Sequence, residues 1–221
     1  MTRTTGLAAL AGIAVVLGWM TACPMAAVAQ CSAPCDVAGQ VAITAGTLSF
    51  ATAPTVPNLG SVVLDGDPQT IDATMNPFAI DDATGSGSGW NVTVQGDSDS
   101  GYSPVFAEYC PGGACGTLGY VSAGATLPAD SLTLDSTGAS FVDTGGTSGS
   151  APALACDAGC SLDSAAPVTI ATATPDTGMG TWSAEGWSSA SLVLSTPATL
   201  GVLPANDVFQ LDLTWSLASG P

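Results

Sequence analysis

The chain contains no histidine, and Arg3 is its only basic residue among 221, set against 18 acidic ones. Without histidine, neither a Ser-His-Asp nor a Cys-His nucleophile can be built, and histidine-ligated zinc is excluded as well. Without lysine or arginine beyond Arg3, phosphate counterions cannot be replaced, so nucleic-acid binding is excluded. Attraction to an anionic membrane surface fails for the same reason. Charge of either sign is scarce at 9 %, whereas hydrophobic residues reach 46 %, too many for a disordered acidic tail. Helical periodicity is also missing: the Ala-rich stretches are interrupted by Gly or Pro before a helix could nucleate. What remains is rich in Gly, Pro, Ala, Ser, Thr and Val, the composition of a turn-rich β protein.

The first residues form a leader. Arg3 precedes an apolar run over residues 7–22, and Ala27-Val28-Ala29 offers small residues ahead of a cleavage site before Gln30. The apolar run falls short of the ~20 residues that span a bilayer, and no second run of that length follows, so no membrane span is expected. Met20-Thr21-Ala22-Cys23 resembles a lipoprotein box, with Met20 where that box prefers Leu. Release by cleavage at residue 29 is therefore expected ahead of lipid attachment at Cys23. In an exported chain, the remaining cysteines are expected as disulfides. Cys31 with Cys35, Cys110 with Cys115 and Cys156 with Cys160 form three close couples, which favours three local bridges over the other possible pairings. A thiolate metal site is disfavoured by the oxidising compartment.

Residues 30–221 read as one domain made of short strands. Val41, Ile43 and Ala45 alternate with Ala42 and Thr44, and Leu48 and Phe50 continue after Gly46. Val62-Val63-Leu64, Trp90/Val92/Val94, Leu132-Thr133-Leu134, Val168-Thr169-Ile170 and Leu192-Val193-Leu194 follow, separated by Gly, Pro, Asp and Ser. Such spacing predicts an all-β fold, a sandwich or barrel. Residues 97–165 hold four cysteines and a Gly-Ser-rich loop, and are expected as a cysteine-bearing insertion of loops and hairpins.

The clearest strand is the last. Over residues 209–217, Phe209, Leu211, Leu213, Trp215 and Leu217 alternate with polar residues, as a strand with one buried face requires. This ending, LTWSLASGP, resembles the C-terminal signature of the WxL surface-domain family. The segment from Gly87 through Trp90 and Val92 is similar to that family's earlier Trp-x-Leu motif, with Val92 in place of Leu. Gly46 to Phe50, Asn58 to Val62 and the turn Leu203-Pro204-Ala205 resemble other parts of its pattern. The resemblance implies an Ig-like β-sandwich on a bacterial surface, held non-covalently to the cell wall, often to peptidoglycan. Phe209 stands where the family often has Tyr, and the cysteines are unusual for it.

The candidate site residues follow. Trp90 and Trp215 are in phase with aliphatic neighbours and are expected in the core. Trp182 and Trp187 sit in a Gly-Ser-rich stretch without clear alternation, and are candidate exposed ligand contacts. Asp97, Asp99 and Glu108 match positions 1, 3 and 12 of a calcium loop, although Gly101 leaves position 5 without a side-chain ligand. Asp143-Thr144-Gly145 and Asp176-Thr177-Gly178 match the aspartic-protease triplet, but they lie too close in sequence for two lobes. Glu108 and Glu185, the only glutamates, have nothing to bring them together as a glycosidase pair. The expectation is a non-enzymatic exported surface protein, partnered by a cell-wall polymer or other surface proteins. No cofactor is expected, calcium being the one candidate ion. The competing expectation is a self-associating structural subunit of pilus, spore-coat or surface-layer type.

Overall fold

The structure, a computed structural model, describes residues 39–146 and 149–220. The leader, Cys23 and the couple of Cys31 and Cys35 lie outside the described residues. The fold is all-β. The first strands are β1 (Leu48–Thr52), β2 (Gln69–Ala73), β3 (Phe78–Asp82), β4 (Trp90–Gly96) and β5 (Ala107–Cys110). Next come β6 (Gly119–Tyr120), β7 (Leu132–Leu134), β8 (Ser140–Asp143), β9 (Ala153–Leu154) and β10 (Cys160–Ser161). The series ends with β11 (Val168–Ala173), β12 (Gly180–Glu185), β13 (Leu192–Thr196), β14 (Val208–Gln210) and β15 (Leu213–Ser219). They form four antiparallel sheets, ordered β1-β3-β12-β8, β10-β7-β13-β2, β15-β4-β11-β9 and β14-β5-β6. No helix among the described residues is long and apolar enough to cross a membrane.

The period-2 patterns fold as the pleat demands. On β4, Trp90, Val92 and Val94 are buried while Asn91, Thr93 and Gln95 are half-buried. β3 does the same with Phe78 and Ile80. Their rings build one core: Phe78 lies 6.0 Å from Phe141, 6.3 Å from Trp187 and 6.5 Å from Trp215, and Phe141 packs edge-on to Trp90 at 5.8 Å. Gly89 lets the chain enter β4. Its φ is +76°, and a Cβ there would stand 2.1 Å from the Ala173 carbonyl oxygen on the neighbouring strand.

The cysteine-bearing stretch 97–165 is woven into the sheets. β7 joins β13, β8 joins β12, β9 joins β11 and β5 joins β14, and Leu132, Leu134, Phe141 and Leu162 lie in the core. Two of the expected bridges are present, Cys110–Cys115 and Cys156–Cys160, each pinning a short loop.

Two expected strands are absent. Residues 39–47 lie outside every strand, with Val41 85 % and Ile43 90 % exposed. Val62-Val63-Leu64 is a loop, and Val63 is 82 % exposed. The last alternating run is two strands rather than one. β14 pairs with β5, the chain breaks at Leu211-Asp212, and β15 pairs with β4 along its whole length. Asp212 anchors the change of partner. Its carbonyl accepts Asp97 N–H at 2.8 Å, and its Oδ2 accepts Tyr120 O–H at 2.6 Å and Gln210 Nε2 at 3.2 Å. Burial, followed by the Asp212 hydrogen bond and charge, pushes the Tyr120 hydroxyl pKa upward, so this bond keeps its proton.

Candidate functional site

The two Trp-containing motifs meet. β15 runs antiparallel to β4 with Trp215 opposite Val94, Leu217 opposite Val92 and Ser219 opposite Trp90. Trp90 and Val92 are fully buried, and Trp90 Nε1 donates to the Gly178 carbonyl at 3.0 Å. Trp215 and Leu217 are half-buried and pack on the core. Both motifs therefore serve the packing of adjacent strands.

Trp182 and Trp187 are not an exposed pair: they are 4 % and 9 % exposed. β12 is an interior strand of its sheet, paired along its two edges by β3 and β8, and successive residues Trp182, Ser183 and Ala184 are all buried, so both of its faces are covered there. Double coverage erases the alternation that would mark a buried strand in sequence. Both indoles satisfy their N–H locally, Trp182 to the Met179 carbonyl at 2.9 Å and Trp187 to the Ala184 carbonyl at 3.1 Å.

The calcium-loop spacing is not realised as a ligand set. Asp97 Oδ1 accepts Asp99 N–H at 2.9 Å and closes a turn. Glu108 is buried on β5, where Oε2 accepts Ala125 N–H at 2.9 Å and the carboxyl meets Asp207. Among the described residues, the one cluster with three potential metal-ligating atoms is Cys110, Cys115 and Asp207. The two sulfurs there are bonded to each other, so they are not thiolate ligands. The aspartic-protease-like triplets are turns. Asp143 Oδ1 accepts the N–H groups of Gly145 and Gly146 at 2.9 and 2.8 Å, and Asp176 sits at φ +64° with its N–H on the Gly87 carbonyl.

One concavity, lined mostly by apolar side chains, was not legible in sequence. A groove of about 710 Å³ opens where the β1–β2 connection, the β13–β14 connection and β14–β15 converge. Phe106, Leu132, Leu194, Phe209, Leu211 and Leu213 form its floor and walls, and a smaller hollow of about 320 Å³ continues along Leu211 and Leu213 to Trp215. Val202 at its rim is 87 % exposed. Three strands that line it, β2 through Ile71, β14 through Phe209 and β15 through Leu213, each end a hydrogen-bonded strand order among the described residues.

Asp207 is the one charged residue lining this groove. It follows the tight turn at Pro204-Ala205-Asn206, where its N–H bonds the Pro204 carbonyl at 3.1 Å and Asn206 takes φ +74°. Its Oδ1 is buried and has no donor. Burial, the hydrogen bond to Glu108 and the repulsion of that second carboxyl raise the Asp207 pKa above the ordinary carboxylate range.

Comparison with known proteins finds no matching family model, no matching curated protein and no matching solved structure.

Proposed function

We propose that the chain is an exported, non-catalytic surface protein that works by docking an extended polypeptide segment, as one component of a surface complex. The groove carries this reading. It is lined mostly by apolar side chains, it is bordered by strand edges without a ladder partner among the described residues, and it keeps exposed valine at its rim. Strand edges beside an apolar trough suit β-strand addition, in which main-chain hydrogen bonds give affinity and alternate side chains enter pockets. Export is supported by the leader and the local disulfides, and surface location by the resemblance of the two Trp motifs to the WxL family. The same resemblance supports an Ig-like arrangement of the sheets. Direct binding of a wall glycan is the weaker reading, because its candidate contacts, Trp182 and Trp187, are buried.

The test places a photo-reactive amino acid at position 202 of the full chain in producing cells, followed by cross-linking and mass spectrometry. A covalent adduct to a polypeptide segment of alternating apolar residues is expected. Absence of any polypeptide adduct, together with saturable, salt-resistant co-sedimentation on purified peptidoglycan, would overturn the docking reading in favour of a wall anchor.

A further inference from the structure

The two bridges are alike in exposure and differ in chemistry. Cys110–Cys115 and Cys156–Cys160 each close a short loop, and each joins a cysteine that is 3 % or 1 % exposed to one that is half-buried. Beside Cys110–Cys115 stands a carboxyl group: one Asp207 oxygen and both sulfurs lie within 4.8 Å of one another. Cys156–Cys160 has no carboxyl so placed among the described residues. A carboxyl contributes nothing to the closure of a loop by a covalent bond. It is a proton donor at the place where a thiolate appears if that bond opens.

The surroundings make such a donor necessary. Glu108 is buried two residues before Cys110 on β5, hence on the same face of the strand. The one basic residue of the chain, Arg3, lies outside the described residues, so no side chain among them can stabilise a Cys110 thiolate by charge. Next to a carboxylate and without a cation, a bare thiolate is a poor leaving group. Burial and the neighbouring Glu108 hold the Asp207 proton more firmly than in an ordinary aspartate, so the donor is charged for the step. A thiolate is still the stronger base, with a reference value of ~8.5 against ~3.9, so the proton passes to sulfur downhill. The Cys110 S–H then faces a carboxyl group whose Oδ1 is buried without a donor.

The backbone decides which sulfur is attacked. Cys110 ends β5 and is held opposite Gly119 of β6. Cys115 sits on the connection between these strands, where Gly113 and Gly116 take φ +74° and +111° with no atom within 4 Å of a Cβ position, and where Leu118 is 66 % exposed. When the bond opens, Cys115 is free to move with this connection, while Cys110 stays beside Asp207.

We propose that Cys110–Cys115 is an exchangeable disulfide that captures a thiol-bearing partner on Cys115, with Asp207 as the proton donor to Cys110. The incoming thiolate forms a new S–S bond to Cys115 Sγ as the bond to Cys110 Sγ breaks. The electron pair of the broken bond goes to Cys110 Sγ, which takes the Asp207 proton and leaves a carboxylate. One disulfide replaces another, so the thiol is the only co-reactant. The partner ends covalently joined to the chain, without turnover. Asp207 also lines the groove, so a thiol on a segment lying there arrives at this bridge, whereas a small free thiol reaches it without any docked segment.

The test treats the full exported chain, folded and with its disulfides formed, with 2-mercaptoethanol, which carries no charge besides its reacting sulfur. Samples are quenched with acid at early times, and peptic fragments are mapped by tandem mass spectrometry. The mixed disulfide is expected on Cys115, forming at least ~10-fold faster than any adduct at Cys156–Cys160, the lower range of what a positioned acid contributes. Asp207→Asn should slow capture on Cys115 by ~10-fold or more and leave the rate at Cys156–Cys160 unchanged. A purely structural Asp207 gives the opposite sign, because its loss would loosen the loop and speed exchange. Equal rates at the two bridges, an adduct on Cys110 in place of Cys115, or an Asp207→Asn chain that reacts as fast as the original overturns the proposal. Cross-linking at position 202 reads the docking separately: exchange without a polypeptide adduct removes docking alone, and an adduct without exchange removes capture alone.

Discussion

Replacing Trp90 by alanine tests whether the motif tryptophans are core or contact surface. Trp90 is fully buried, packs edge-on against Phe141 at 5.8 Å, and donates its N–H to the Gly178 carbonyl at 3.0 Å. A buried tryptophan removes about 200 Å² from water, worth about 5 kcal/mol at ~25 cal/mol per Å². Truncation of buried Trp to Ala typically costs about 3–5 kcal/mol, and a carbonyl stranded without its donor adds about 1 kcal/mol. A loss of about 4 kcal/mol is therefore expected, against a total stability of about 5–15 kcal/mol. With a urea slope of about 2.5 kcal/mol per M, the unfolding midpoint should fall by about 1.5 M. The assay is equilibrium urea unfolding under non-reducing conditions, followed by far-UV circular dichroism. Trp90→Phe keeps one ring and should fall by less than half as much. Trp215→Ala, on the half-buried edge strand, should lie between the two. A midpoint shift under ~0.5 M for Trp90→Ala at unchanged slope would refute the packing argument, and with it the assignment of this motif to the core.

Two further outcomes follow from the structure. Gly89→Ala should cost at least ~2 kcal/mol by thermal or urea melting, because φ is +76° and the new Cβ would meet the Ala173 carbonyl at 2.1 Å; a neutral result would show that the entry to β4 is not rigid. The second concerns pH. Asp207 has a raised pKa in the folded chain, so between the ordinary aspartate value of ~3.9 and that raised value the native state holds more protons than the unfolded one. Its stabilising contribution is complete below ~3.9 and is lost as pH rises through the raised value. Asp163 is raised by burial too and acts with the same sign, so the informative quantity is a difference between proteins. Melting temperature against pH should decline less steeply in Asp207→Asn than in the original chain, and equal slopes would show that the Glu108–Asp207 contact is not coupled to folding.

Much of this protein was settled by residue types and local order alone. Absent histidine and near-absent bases exclude whole classes of chemistry whatever the fold, because no arrangement can supply a missing functional group. The all-β class, the buried face of β4 and the inward face of residues 209–217 follow from a period of 2, a local property of an extended backbone. Close spacing favoured the Cys110–Cys115 and Cys156–Cys160 bridges, and the structure contains both.

Periodicity names the face of a strand but not its partner, and the tertiary structure decided everything that depended on partners. Phe209 and Trp215 share one alternating run, yet they pair with β5 and β4 respectively, because Asp212 is held by Asp97, Tyr120 and Gln210 from distant or turning segments. Trp182 is buried because β12 is an interior strand whose faces are both covered by the core, a position set by pairings about 40 and 100 residues away in the chain. Asp97 and Glu108 have calcium-loop spacing, but β5 draws Glu108 to Ala125 and Asp207 instead. The groove exists only where three separate connections converge. Long-range register decides such features, and no single stretch of sequence encodes it.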